Sequence, residues 1–262
     1  MTALAFDDTG GHSRTALLLV HGFTLDRHVW DDVVPALAAD SRVLCPDLRG
    51  FGDSPPPVEG VPYTHADDLA ALLDERAIDD VVAVGLSMGG WVVTEFAVTY
   101  PARVRGLVLV DALLRNHPFP HGWNKKIGAV YRCGREQGLD AAMALWLDDE
   151  LFAFERALPA VAPRLPGLVA GYDGFHLLHD DPHAAMDPPA VERLSEIAVP
   201  TLVIVGEHDL PDFHAIATTL STNIPGAVHR VLPNAGHLAH LAAPDEFARL
   251  LSAFVRQVDA RR

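Results

Sequence analysis

The sequence predicts an α/β fold: a mostly parallel sheet with helices on both faces and a helical insertion before the last strands. Three observations predict it. Short apolar runs alternate with stretches of helical spacing, the pattern of a parallel sheet covered by helices. The runs are apolar at nearly every position, as expected of strands buried on both faces. The alternation stops between about residues 113 and 195. The first run occupies residues 15–20 and breaks at His21-Gly22; others follow at 42–45, 81–84, 107–110 and 201–205, with a weaker one at 228–232. Stretches 30–39, 67–76, 89–100, 213–223 and 244–258 have helical spacing. In the last of these Phe247, Leu250, Leu251, Phe254 and Val258 form one apolar stripe suited to packing on a sheet.

Residues 113–195 are too many for a loop and too irregular for another strand-helix unit. They are expected to form an inserted, mainly helical cap subdomain, with residues 1–112 and 196–262 making the core domain. Trp123, Trp146, Tyr172 and Phe175, together with His176, are the cap's candidates for walls of a substrate pocket.

Composition narrows the partners. The chain has 262 residues, 49% hydrophobic and 21% charged, as globular proteins do, which argues against disorder. Its formal net charge of −15 repels nucleic acid and anionic membranes. Basic residues cluster nowhere except at Lys125-Lys126 and Arg261-Arg262, so neither partner is expected. Two cysteines, Cys45 and Cys133, are too few for a disulfide framework and are expected to be buried thiols. The start of the chain lacks a basic stretch followed by an apolar one, and no apolar run approaches the ~18 residues of a membrane span. A cytoplasmic protein is the expectation.

The sharpest chemical signal is Gly85-Leu86-Ser87-Met88-Gly89, set between an apolar run and a helical stretch. A serine on so tight a turn is held above the sheet edge, and the flanking glycines remove side chains that would collide there. The backbone N–H of Met88, at the mouth of the following helix, would face developing negative charge. After the first run, His21-Gly22-Phe23 turns the chain, and the Phe23 N–H is the candidate second donor, with His21 bracing the turn. Beyond the run at 201–205 comes Gly206-Glu207-His208-Asp209, and beyond the weaker run comes Asn234-Ala235-Gly236-His237. A serine hydroxyl is a weak nucleophile until a base takes its proton, and the base needs a carboxylate to fix its tautomer. Ser87 is therefore the candidate nucleophile, His237 the base and Asp209 the acid. Glu207 and Asp212 compete for the place of the acid, and His208 and His240 for that of the base. His176, His179 and His183 with Asp180 and Asp181 lack standard zinc spacing, and no metal is expected.

These motifs, together with Asp47-Leu48-Arg49-Gly50-Phe51-Gly52-Asp53-Ser54, resemble the α/β-hydrolase superfamily almost end to end. The chain is similar to the branch of 3-oxoadipate enol-lactonases, meta-cleavage product hydrolases and small esterases. The resemblance implies an eight-stranded, mostly parallel sheet, a Ser-His-Asp triad, a cap and no cofactor. Leu241-Ala242-Ala243-Pro244 departs from relatives that carry an acid before this proline, and Ser87 sets the chain apart from those with an aspartate nucleophile. A small-molecule ester or lactone is the expected substrate. A second reading is carbon–carbon hydrolysis of a vinylogous diketone, whose charge would need a cation from Arg115, Lys125, Lys126, Arg132 or Arg164. A third is a non-hydrolytic enzyme or ligand receptor on the same fold.

Overall fold

The computed structural model of the chain describes residues 4–11 and 15–261. Arg262 and the first three residues of the stretch searched for a targeting segment lie outside the described residues. Seven strands form one sheet: β1 (Phe6–Asp8), β2 (Ala16–Val20), β3 (Arg42–Pro46), β4 (Val81–Leu86), β5 (Val104–Val110), β6 (Thr201–Gly206) and β7 (Val228–Leu232). Their spatial order is β1-β3-β2-β4-β5-β6-β7, with β1 antiparallel to β3 and all other pairs parallel.

The resemblance implies eight strands, and seven are present among the described residues. The chain ahead of β2 supplies one three-residue edge strand, Phe-Asp-Asp, too polar to have stood out as a buried run. By contrast β2, β4 and β6 are buried at every residue, which is why their runs are legible. Each Val or Leu so buried contributes roughly 1.5–3 kcal/mol to folding. β7 is mostly exposed at the far edge, which explains its weak signal.

The helices are α1 (Val34–Leu37), α2 (His65–Glu75), α3 (Met88–Thr99), α4 (Trp123–Gln137), α5 (Leu139–Leu147), α6 (Ala153–Ala157), α7 (Leu165–Leu168), α8 (Phe175–Leu178), α9 (Pro211–Asn223), α10 (Ala239–Ala242) and α11 (Pro244–Asp259). α2 and α3 pack together on one face of the sheet; α1 and α11 share the other. The apolar stripe of α11 buries Phe247, Leu251, Phe254 and Val258 as its spacing predicts. The helix expected over 30–39 is only one turn long, because a 3-10 turn at Arg27–Trp30 precedes it and Pro35 opens α1. Helices α4 to α8 all lie between β5 and β6, the stretch that carries no strand. Cys45 and Cys133 are buried free thiols. No helix among the described residues is long and apolar enough to cross a membrane.

The strand order places β3 and β4 on opposite sides of β2. Successive connections therefore leave β2 in opposite directions, and a crevice opens beyond the carboxyl ends of β2 and β4, where open α/β sheets bind ligands. Phe23 follows β2 and Ser87 follows β4, so the candidate residues from both motifs meet at that crevice.

Candidate active site

Ser87 adopts φ 50° and ψ −113°, a conformation in which a residue with a side chain is strained by about 1–3 kcal/mol. The surrounding backbone holds it there. Ser87 N–H donates to Val110 O, and Ser87 O accepts from the N–H groups of Gly90 and Leu113, all at 2.9 Å. The glycines of the motif are a packing requirement: a Cβ on Gly85 would stand 2.2 Å from Gly89 O, and one on Gly89 would stand 2.3 Å from Val20 O. The turn from β4 into α3 can close only without those side chains.

The Ser87 hydroxyl donates to His237 Nε2 at 2.9 Å, and His237 Nδ1–H donates to Asp209 Oδ2, also at 2.9 Å. All three residues are buried. Burial pulls the His237 imidazole below its ordinary value of 6.5, opposed by the nearby carboxyls of Asp111 and Glu155. Burial pushes the Asp209 carboxyl upward, opposed by the Leu210 N–H, which donates to Oδ1 at 2.7 Å. Burial thus favours the neutral imidazole, whose Nε2 faces the Ser87 hydroxyl. No acceptor among the described residues takes the backbone N–H of Phe23 or of Met88, the two residues expected to supply donors.

The competing candidates have other partners. Glu207 is exposed and accepts from Asn234 N–H. Asp212 accepts from the backbone N–H groups of His121 and Trp123 and so starts α4. His208 stacks outside on Phe154, and His240 Nε2 is bonded to Val29 O. His21 braces its turn: Nδ1–H donates to Gly22 O at 2.8 Å, and Nε2 accepts from Leu48 N–H at 3.0 Å.

A cavity of about 400 Å³ opens above Ser87. Trp123, Trp146 and His176 line it as expected, joined by Trp91, Leu113, Phe119, Ile127 and Tyr131. Tyr172 and Phe175 do not. Tyr172 stacks on Phe51 (5.4 Å) and meets Phe23 edge to face (5.6 Å), and Phe175 stacks on His179 (5.2 Å). Aromatic composition alone does not tell a wall from the packing behind it. Trp146 also fixes the neighbouring turn, since its Nε1–H donates to Thr24 Oγ1 at 2.9 Å while that hydroxyl donates to Phe23 O. The clustered His and Asp residues do not converge on one point, although Asp181 stays beside His176. His183 lies against Trp91, His176 against Phe51, and Asp180 pairs with Arg135. No group of three or more His, Cys, Asp or Glu among the described residues is placed to hold a metal ion.

Two buried carboxyls behind His237 carried no sequence signal. Asp111, just past β5, accepts from Gly206 N–H at 2.7 Å and from Ala239 N–H at 3.3 Å, tying the end of β6 to the histidine loop. Glu155, on α6, reaches in from the insertion, and its Oε1 accepts from Leu238 N–H at 2.9 Å. Both are fully buried, and burial raises both above the ordinary carboxylate range. Their partners lie far away in sequence, so only the fold reveals them. Glu155→Ala leaves the Leu238 N–H unpaired and is expected to destabilise the chain by about 1–3 kcal/mol. Glu155→Gln keeps an acceptor and should lose less. Urea denaturation of the two variants checks this, and equal losses would show that the acceptor atom is not what matters.

The architecture and the grouped Ser, His and Asp are those of one enzyme superfamily. The Alpha/beta hydrolase family model matches residues 17–250, and the chain belongs to that family. It is 31% identical to the 2-hydroxymuconate semialdehyde hydrolase of Pseudomonas sp. (strain CF600), over 93% of this chain and 88% of that protein. It is 28% identical to a Bacillus subtilis (strain 168) chain provisionally named 2-succinyl-6-hydroxy-2,4-cyclohexadiene-1-carboxylate synthase, over 97% of this chain and 95% of the other. Among solved structures it is similar to a thermophilic esterase from Thermogutta terrifontis, bound to malate, with 32% identity and a TM-score of 0.80, covering 97% of this chain and 93% of that one. The resemblance read from the motifs holds, and the chain is an enzyme of hydrolase ancestry acting on small molecules.

Proposed function

We propose that the chain hydrolyses small esters or lactones through an acyl-enzyme formed on Ser87. The observation that carries this reading is the Ser87–His237–Asp209 array, with 2.9 Å at each junction, at the floor of a mainly apolar cavity. Ser87 Oγ attacks the substrate carbonyl while His237 Nε2 takes its proton, and Asp209 holds the imidazole and stabilises its charged form. The N–H groups of Phe23 and Met88 receive the oxyanion. His237 then returns the proton to the leaving oxygen, and water repeats the sequence to release the acid. The insertion, residues 113–195, acts as a cap on the core of 1–112 and 196–262, and sets substrate choice through Trp123, Trp146 and His176.

The test is a series of p-nitrophenyl esters and lactones, with mass analysis of the Ser87 peptide after rapid acid quench. A burst of nitrophenolate and an acyl adduct on Ser87 are expected. Turnover with no adduct, or no turnover across the series, would overturn the reading. Because burial lowers His237 below 6.5 and the base must be unprotonated, kcat/KM rises with pH to a plateau. The midpoint of that rise is expected below 6.5. A midpoint well above it would mean that a different base governs the step.

Carbon–carbon hydrolysis is the second reading, favoured by the 2-hydroxymuconate semialdehyde hydrolase among the relatives. Loss of the absorbance of a coloured dienoate on mixing would support it, and its persistence across a dienoate panel would remove it.

A further inference from the structure

We propose that Asp111 keeps its proton and donates it in a hydrogen bond to Asp209, so that the carboxylate behind His237 is positioned by a neutral acid and the pair carries a single negative charge. Resting on the acyl-enzyme reading, this makes Asp111 a positioning residue: it acts through Asp209 and touches no substrate.

Asp111 is built in between the two loops that carry the acid and the base. It follows β5, and its Oδ1 accepts from Gly206 N–H at 2.7 Å, while Oδ2 has only the longer bond from Ala239 N–H at 3.3 Å. The carbonyl of the same Gly206 accepts from Asp209 N–H at 3.1 Å, and Ala239 stands two residues beyond His237. This framework brings the Asp111 and Asp209 side chains into a hydrogen bond with each other, and both are buried. An ionised carboxylate only accepts, so a bond between two carboxyls requires a proton on one of them.

The surroundings decide which one. Both oxygens of Asp209 already meet donors, Oδ2 from His237 Nδ1–H and Oδ1 from Leu210 N–H. Burial, then the charge of Asp209, raise the Asp111 carboxyl well above its ordinary range, against the opposing charge of His237. Glu155 on α6 is the remaining ionisable group facing the pair, and its charge acts on Asp209. Among the described residues no Lys or Arg forms an ion pair with Asp111, Asp209 or Glu155, so no cation is at hand to compensate a second buried charge. One negative charge then answers the one positive charge that His237 gains on taking the Ser87 proton. A second would hold the imidazole protonated to higher pH and deprive Ser87 of its base. Asp111 loses no proton during the reaction; its O–H fixes the Asp209 carboxylate against the imidazole.

The test sets Asp111→Asn and Asp111→Ala beside the wild type, with kcat/KM for a p-nitrophenyl ester followed against pH and infrared difference spectra recorded at neutral pH. Asn keeps an oxygen for Gly206 N–H and an N–H for Asp209, but has no acid proton. Asp111→Ala is expected to lower kcat/KM by about 10–100-fold, the range for a hydrogen bond to a charged group, and Asp111→Asn to recover most of that loss. In Asp111→Asn the midpoint of the pH rise stays at its wild-type value, because no charge is removed, and the C=O stretch of a protonated carboxyl disappears from the spectrum. A midpoint lower by about one unit or more, or loss of carboxylate bands in place of that stretch, would overturn the proposal, since Asp111 would then be ionised and serve only as an acceptor. If Asp111→Ala does not fold, the midpoint and the spectrum of Asp111→Asn still decide. The spectrum needs no turnover: a lost C=O stretch in a chain that hydrolyses no ester would leave the proton on Asp111 standing and remove the acyl-enzyme reading alone.

Discussion

Ser87→Ala lowers kcat/KM for a p-nitrophenyl ester by about 10⁴–10⁶-fold and leaves the fold intact, the range set by removal of a nucleophile that works as one unit with its base. The size follows from the site's geometry. His237 Nε2 has Ser87 Oγ at 2.9 Å and no other nucleophile bonded to it. The buried Cys45 thiol, pushed up to about 12, is no substitute. What survives is the stabilisation offered by the backbone donors and the cavity, and the array's histidine is left without the proton it takes. The measurement is a rate assay beside a thermal melt, since a variant that melts early would confuse loss of chemistry with loss of structure. A variant that keeps more than about one hundredth of wild-type kcat/KM would sink the proposed nucleophile.

Gly206→Ala is the second substitution with a large expected effect, and it acts on the backbone. A Cβ there would stand 2.0 Å from Gly236 O and 2.7 Å from Ala235 O. These are main-chain atoms and have no rotamer through which to retreat. Gly206 ends β6 three residues before Asp209, and Gly236 immediately precedes His237. The added methyl drives apart the two loops that carry Asp209 and His237, which are also joined by the His208 N–H to Ala235 O bond. Overpacking of this kind costs about 1–3 kcal/mol or more, and a misplacement of ~1 Å in such a site costs about 10²-fold in rate. Urea denaturation and kcat should both move. Wild-type values in both would mean that the close approach at Gly206 is dispensable.

Much of this architecture was readable because it rests on local patterns. β2, β4 and β6 are buried on both faces, so each appears as an unbroken apolar run ending where the chain turns. Ser87 and Asp209 follow such runs and His237 follows the weaker run of β7, and the strand order converts their separate positions into contact. The unreadable parts depend on distant partners. β1 has a polar sequence because it is an edge strand that needs only β3 beside it. Asp111 finds Gly206 and Ala239 across the fold, and nothing near it in sequence announces them. Tyr172 and Trp146 are both buried aromatics of the insertion, yet only Trp146 faces the cavity, a distinction of packing direction that composition does not contain.

The bond from Glu155 to Leu238 N–H joins the insertion to the loop that carries the imidazole. The insertion is consequently tied to that loop by a buried hydrogen bond. A chimera that exchanges residues 113–195 for the matching segment of a relative would replace substrate contacts and, in the same stroke, one of the struts that aims His237. Such a graft would be expected to change turnover as well as preference, unless an acceptor is restored where Glu155 stood. On the proposed function, the Glu155 side chain ties the choice of substrate to the placing of His237.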